Sequence, residues 1–152
     1  MKQKKTLKAR ALAYLSLREY SPRELAAKLA PYQEEGDDLD GLMQWLKANG
    51  FLSEKRFVES YVRRRSVRYG SGRVLRELQR HDVDESLLRQ AAATMKEDEF
   101  ERALHLWQKK YGNKPDNVQE KARQIRFMLQ KGFSGDVVRS VMNWKKPDES
   151  SF

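Results

Sequence analysis

With 152 residues, no cysteine, and 31 Lys and Arg against 22 Asp and Glu, the chain carries a formal charge of +9 and a pI near 9.8. The composition excludes a disulfide framework, a cysteine metal site and a thiol nucleophile, and the length suits one compact domain or a few small modules sharing boundaries. At 39% hydrophobic and 35% charged residues, the chain is lean for a single deep core and suits a helical object with much surface per residue.

Met1-Lys2-Gln3-Lys4-Lys5-Thr6 is basic with no apolar run behind it, and no apolar run elsewhere approaches the roughly 18 residues of a membrane span. The expectation is a soluble, cytoplasmic protein with no membrane segment, and the missing cysteine fits a reducing compartment.

In chain order, Leu7, Ala11, Tyr14 and Leu15 form one helical face that ends near Tyr20. Ser21-Pro22-Arg23-Glu24 reads as an N-cap, a proline at the first helical position and a capping glutamate. Leu25 and Leu29 are the apolar pair of that short helix, and Pro31 is expected to stop it. An acidic connector, Gln33 to Asp38, leads to a third helix with Leu39, Leu42, Met43 and Leu46 inward and Asn49-Gly50 as its left-handed terminator.

Ser53 caps the next helix, whose apolar face is Phe57, Val58, Tyr61 and Val62 and which runs toward Tyr69-Gly70. After a Ser71-Gly72 turn, Val74, Leu75 and Leu78 face inward until about Arg80. Asp84 caps a helix carrying Leu87, Leu88 and Ala91. Phe100, Ala103, Leu104 and Trp107 follow up to a break at Tyr111-Gly112-Asn113. Lys114-Pro115-Asp116-Asn117 opens a helix expected to bury Ala122, Ile125, Met128 and Leu129 and to stop at Gly132. Ser134 to Trp144 is the last helix, with Val137, Val138, Val141 and Met142. No segment alternates as a strand does, so the fold class is all-α.

The helices fall into three cycles, each opening with a long helix that ends in Tyr and a small residue: Tyr20-Ser21, Tyr69-Gly70 and Tyr111-Gly112. The last two cycles align at an offset of 50, pairing Arg73 with Arg123, Arg76 with Arg126 and Leu78 with Met128. Three-helix units of this size bury their faces by stacking. The expected organisation is an elongated, curved array of repeats at 1–52, 53–95 and 96–144 with a loose tail at 145–152.

Charge concentrates between Val62 and Arg80, where Arg63, Arg64, Arg65, Arg68, Arg73, Arg76 and Arg80 face one acid, Glu77. On the helix after Gly72, Arg73 and Arg80 lie within about 20° of each other with Arg76 about 60° away, opposite the leucines, and Glu77 is placed to pair with Arg73 or Arg80. Guanidinium groups fork onto phosphate or carboxylate oxygens and stay charged at cellular pH. Arg63, Arg64, Arg73, Arg76, Arg80, Arg123 and Arg126 are therefore the candidate contact residues for nucleic acid or an acidic protein. A merely solvated basic surface is the plain alternative. Arg65 and Arg68 project toward the Phe57/Tyr61 side, either past the core or onto acids of a neighbouring module. The helix starts after Tyr69-Gly70 and Tyr111-Gly112 offer backbone N–H groups to anions, but Ser71-Gly72 lacks the lysine of a P-loop. Trp45, Trp107, Tyr14 and Tyr61, at helical spacing among aliphatics, read as core.

His81 and His105 are the only histidines. His81 reads as a cationic helix C-terminal residue, and His105 has no His or carboxylate four residues on for a metal pair. No catalytic constellation, metal site or cofactor motif emerges, so an enzyme is not expected.

The ordered segments Leu15–Leu25 (LREYSPREL within it), Leu46–Phe57 (LKANGFLSEKRF), Arg68–Leu78 (RYGSGRVLREL) and Phe127–Phe133 (FMLQKGF) resemble the RecX family from about Leu7 to Met142. The resemblance implies tandem three-helix repeats and a cytoplasmic, non-enzymatic regulator of the RecA recombinase. It further implies binding within the groove of the RecA–DNA filament, with single- or double-stranded DNA in the same complex, and restraint of filament growth, ATP hydrolysis, strand exchange and co-protease activity. A monomer without cofactor is expected. The matching positions are Tyr20, Ser21, Glu24, Leu25, Gly50, Phe51, Leu52, Arg56, Phe57, Gly70, Arg73, Leu75, Glu77, Leu78, Gly132 and Phe133; Asp82 departs, standing where the family has glycine. The competing readings are a basic helical nucleic-acid-binding protein with no filament partner and a helical scaffold for an acidic protein.

Overall fold

A computed structural model describes residues 4–147; of the expected loose tail, residues 148–152 lie outside that range. Among the described residues the chain forms nine α-helices and no strand: α1 (Leu7–Leu17), α2 (Pro22–Leu29), α3 (Leu39–Ala48), α4 (Glu54–Arg65), α5 (Ser71–Gln79), α6 (Glu85–Glu97), α7 (Glu99–Lys110), α8 (Val118–Gln130) and α9 (Gly135–Asn143). None of these helices is long and apolar enough to cross a membrane. The chain divides into two compact units, Met1–Val62 with Glu77–Ala91 and Arg63–Arg76 with Ala92–Phe152.

In the first unit α1, α2 and α3 close around Leu7, Ala11, Leu25, Leu29, Met43, Leu46 and Leu52. The α1–α2 corner forms because a complete capping box starts α2. Ser21 Oγ accepts the Glu24 N–H at 3.0 Å, and the Glu24 carboxylate accepts the Ser21 N–H at 3.4 Å. Both terminal guanidinium nitrogens of Arg18 fork onto that carboxylate at 3.0 and 3.1 Å. Burial alone raises the Glu24 pKa, but the Arg18 hydrogen bond and charge, with the Ser21 N–H and His81, outweigh it and hold the group below the ordinary carboxylate range. Pro31 does not end the helical path outright: Ala30–Tyr32 continues as a single 3-10 turn, closed by the Gln33 N–H on the Ala30 carbonyl at 3.1 Å, a bond that does not need the N–H proline lacks.

Gly50 ends α3 at φ 77°. The Gly50 N–H then bonds to the Lys47 carbonyl at 3.1 Å and the Phe51 N–H to the Leu46 carbonyl at 2.9 Å, which is the Schellman closure. This cap swings Phe51 beside Trp45, their rings 5.6 Å apart and 21° from parallel. Trp45 is accordingly a surface residue, 36% exposed, and not core. Leu42, Met43 and Leu46 occupy the inward stripe, and position 45 lies about 100° round from Leu46.

His81 also differs from expectation. It lies half-buried against Phe57 and Tyr61, at 4.9 and 5.7 Å between centroids, with Nδ1 3.1 Å from Ser21 Oγ. The turn after α5 therefore lays His81 against the Phe57 and Tyr61 rings of the first unit.

In the second unit α7, α8 and α9 surround Ala103, Trp107, Met128, Phe133, Val138 and Val141. Here α8 keeps Met128 and Ile125 on the inward side as expected but turns Gln124 in beside them, with Ala122 and Leu129 left out. Gln124 is 2% exposed and Met128 is fully buried, whereas Ala122 is exposed and Leu129 is 46% exposed. The Gln124 side-chain carbonyl accepts the indole N–H of Trp107 at 2.8 Å, so an amide at this depth is satisfied and supplies what the tryptophan needs.

Candidate anion-binding surface

The link between α4 and α5 is held by buried polar chemistry. Arg102 on α7 donates to the carbonyls of Ser66 (2.8 Å), Tyr69 (3.1 Å) and Met95 (3.0 Å) and pairs with Asp98 at 3.0 Å. Gly70 then packs backbone to backbone on the end of α8. Its N–H bonds to the Lys131 carbonyl at 2.7 Å, and the Gly72 N–H bonds to the Gly132 carbonyl at 3.2 Å. A Cβ at Gly70 would stand 2.4 Å from the Gly132 and Phe133 backbones, so only glycine permits the approach. Ser71 and Gly72, expected as a free turn, are the first residues of α5.

This approach gathers cations round one ring. The guanidinium carbon of Arg73 lies 4.0 Å from the Tyr69 centroid, that of Arg65 at 4.4 Å and the Lys131 ammonium at 5.1 Å. Lys131 also lies 5.5 Å from the Phe127 ring, which meets Tyr111 edge-on at 5.6 Å. Lys131 is the member that sequence reasoning misses; its only signal is its place before Gly132 at a helix C-terminus, where a lysine also complements the helix dipole.

The predicted arginines separate by role. Arg63, Arg64, Arg76 and Arg126 are exposed in the second unit, as is Arg123, which pairs with Glu120 at 3.1 Å. Arg73 is half-buried against Tyr69, and Arg64 and Arg73 are further engaged within the chain. Arg80 is exposed in the first unit, where its carbonyl accepts from Arg23 at 3.4 Å. Arg65 is a packing residue on Tyr69, and Arg68 is exposed.

The start of α5 is not open to an external anion. The carboxylate of Glu99, itself 6% exposed, accepts the Ser71 hydroxyl at 2.7 Å and the Ser71 N–H at 3.3 Å, so an internal anion occupies the helix N-terminus. The α8 start is capped by Asn117, whose side chain accepts the Glu120 N–H at 2.8 Å. Beyond it Lys114 donates to the Met142 carbonyl, and its pKa is lowered, first by burial and then by the charges of Lys121 and Lys145. Among the described residues no His, Asp and Glu group is placed to hold a metal ion.

Comparison with known proteins adds a second kind of observation. Family models for the second and third three-helix domains of RecX match residues 53–91 and 97–142. The chain is 45% identical over 144 residues to the regulatory protein RecX of Herminiimonas arsenicoxydans, covering 95% of each. It is 44% identical over 148 residues to that of Herbaspirillum seropedicae, covering 96% of each. The fold matches the crystal structure of RecX from Lactobacillus salivarius with a TM-score of 0.76, over 90% of this chain and 92% of that one, at 20% identity.

Proposed function

The chain belongs to the RecX family, and from that membership we propose that it is a non-enzymatic, cytoplasmic regulator of the RecA recombinase. It acts by binding the RecA–DNA filament as a monomer and restraining filament growth, ATP hydrolysis, strand exchange and co-protease activity. The observation that carries this reading is the near-complete match to relatives named regulatory proteins, at 95% coverage of both chains. The cationic surface supports it. Arg63, Arg64, Arg73, Arg76, Arg123 and Arg126 in the second unit, with Arg80 in the first, supply guanidinium groups suited to DNA phosphates and to carboxylates on the protein part of a filament. The repeats at 1–52, 53–95 and 96–144 are the modules through which such a chain spans neighbouring subunits.

The test is RecA ATPase on single-stranded DNA at moderate salt, titrated with the full chain. Saturating protein lowers the rate; an unchanged rate, with DNA binding intact, leaves a plain nucleic-acid-binding protein instead. The variant Arg63→Ala/Arg76→Ala/Arg126→Ala removes three exposed cations of the second unit. It is expected to shift the titration by about tenfold, about 1.4 kcal/mol, with helix content unchanged by circular dichroism. A folded variant that inhibits like the parent overturns the site assignment.

A further inference from the structure

α8 carries exposed apolar side chains beside those that pack into the core of the second unit. Val118 is 84% exposed and Leu129 46% exposed. With Ala122 and Ile125 they stand at i, i+4, i+7 and i+11, one stripe along α8. Beside the stripe lies a cleft of about 500 Å³ lined by Lys121, Ile125, Leu129, Val138, Arg139 and Met142, with the buried Val138 and Met142 as its apolar floor.

At an offset of 50 the middle cycle keeps an apolar residue for Ile125 and Val138, as Leu75 and Leu88, but has Gln79 for Leu129 and Ala92 for Met142. The rim carries cations: Lys121 and Arg139 line the cleft, Arg139 paired with Asp136 at 3.2 Å, and Arg126 is exposed one turn before Leu129. The charges of Lys121 and Lys145 both reach Lys114, whose pKa is lowered first by burial and then by those two. An apolar cleft with a basic rim selects an apolar ligand with acidic flanks. A second copy of this chain, with its charge of +9, is repelled by that rim.

We propose that the α8–α9 cleft docks a short, acidic amphipathic segment of a partner protein, with its apolar residues on Ile125, Leu129 and Met142 and its carboxylates on Lys121 and Arg139. This docking rests on Leu129, Lys121 and Arg139, none of which belongs to the arginine surface above, and it does not depend on which filament that surface meets.

The probe is a fluorescein-labelled synthetic helix with Leu at i, i+3, i+4 and i+7 and Glu at the solvent-facing positions, titrated with the full chain by fluorescence anisotropy. Saturable binding is expected for this peptide and not for its counterparts with Lys in place of Glu or Ala in place of Leu. Leu129→Gln, which installs the residue of the middle cycle, weakens binding by about tenfold with an unchanged melting temperature, because the side chain is already half in water. Lys121→Glu does the same through charge. The proposal is overturned by failure of the Glu/Leu peptide to bind, or by binding that neither variant alters. It is overturned equally if sedimentation shows a dimer that Leu129→Gln dissolves, which gives the cleft to a second copy. A single-stranded oligonucleotide that loses affinity to Leu129→Gln as the peptide does reassigns it to nucleic acid.

Discussion

Asp82 holds φ 56° just after α5, and Gly132 holds φ 101° just after α8. The same left-handed helix end is thus made once by a strained residue and once by glycine. Asp tolerates this region better than most side chains but still pays a steric penalty there. Asp82→Gly is expected to stabilise the fold by about 0.5–1 kcal/mol in urea unfolding; a loss of stability would show that the carboxylate contributes more than the strain removes. Gly132→Ala has the opposite sign. Its Cβ would stand 2.5 Å from Arg73 Cβ and 2.8 Å from the Arg73 nitrogen, adding overlap to strain, for an expected cost of about 2–4 kcal/mol. Glu24 brings a pH dependence. Its folded pKa lies below the ordinary value because the Arg18 fork, the Ser21 N–H and His81 outweigh burial. The stability this contributes is complete above the unfolded pKa and is lost as pH falls through the folded one. The melting temperature should therefore decline on acidification below the ordinary carboxylate range, and Glu24→Gln should flatten that decline; identical profiles for the two proteins would sink the assignment.

At the scale of elements, the second helix of each cycle is held by one buried pair a turn apart: Leu25 and Leu29, Val74 and Leu78, Gln124 and Met128, none more than 2% exposed. Leu75 is only half-buried. Leu78→Ala should cost about 2–5 kcal/mol, and Leu75→Ala clearly less, a difference that chemical denaturation of the two variants reads directly. Equal costs would mean that the face of α5 is assigned wrongly. The N-terminus of α5 is capped from another helix, by Glu99 on Ser71. Glu99→Ala removes that partner from a buried site and should cost about 1–3 kcal/mol, with the loss of protection from hydrogen exchange concentrated in the first turn of α5.

For the molecule as a whole, the charge of +9 sets how association with polyanions responds to salt. Affinity for single-stranded DNA should fall linearly on a logarithmic salt scale, with a slope that loses about 0.7 for each phosphate contact removed. Arg76→Ala/Arg126→Ala should lower the slope by about twice that amount, measured by anisotropy over a salt series. An unchanged slope would place these guanidinium groups on protein carboxylates or in bulk solvent. The peptide cleft on α8–α9 predicts a different behaviour, because loss of Leu129 removes apolar contact and leaves the salt slope as it was.

Much of this fold was legible in the chain because its signals are local. The capping box at Ser21-Pro22-Arg23-Glu24, the caps at Ser53, Asp84, Asn117 and Ser134, and the terminators Gly50, Gly112 and Gly132 act within a few residues of themselves, so composition and spacing suffice to place the helices and to show that the fold is all-α. The arginine concentration was equally visible, since charge is read by counting. What tertiary structure alone decided is which of two plausible stripes each helix turns inward and which polar groups meet. Gln124 is buried with its side-chain carbonyl on the Trp107 N–H, and Leu129 is left half in water. Glu99 closes the helix start that looked open to anions, from 28 residues away, and His81 turns half-buried onto Phe57 and Tyr61. A helical period defines a stripe to within about one residue, or 100°; the final choice depends on partners far off in sequence, which only the packed chain brings together.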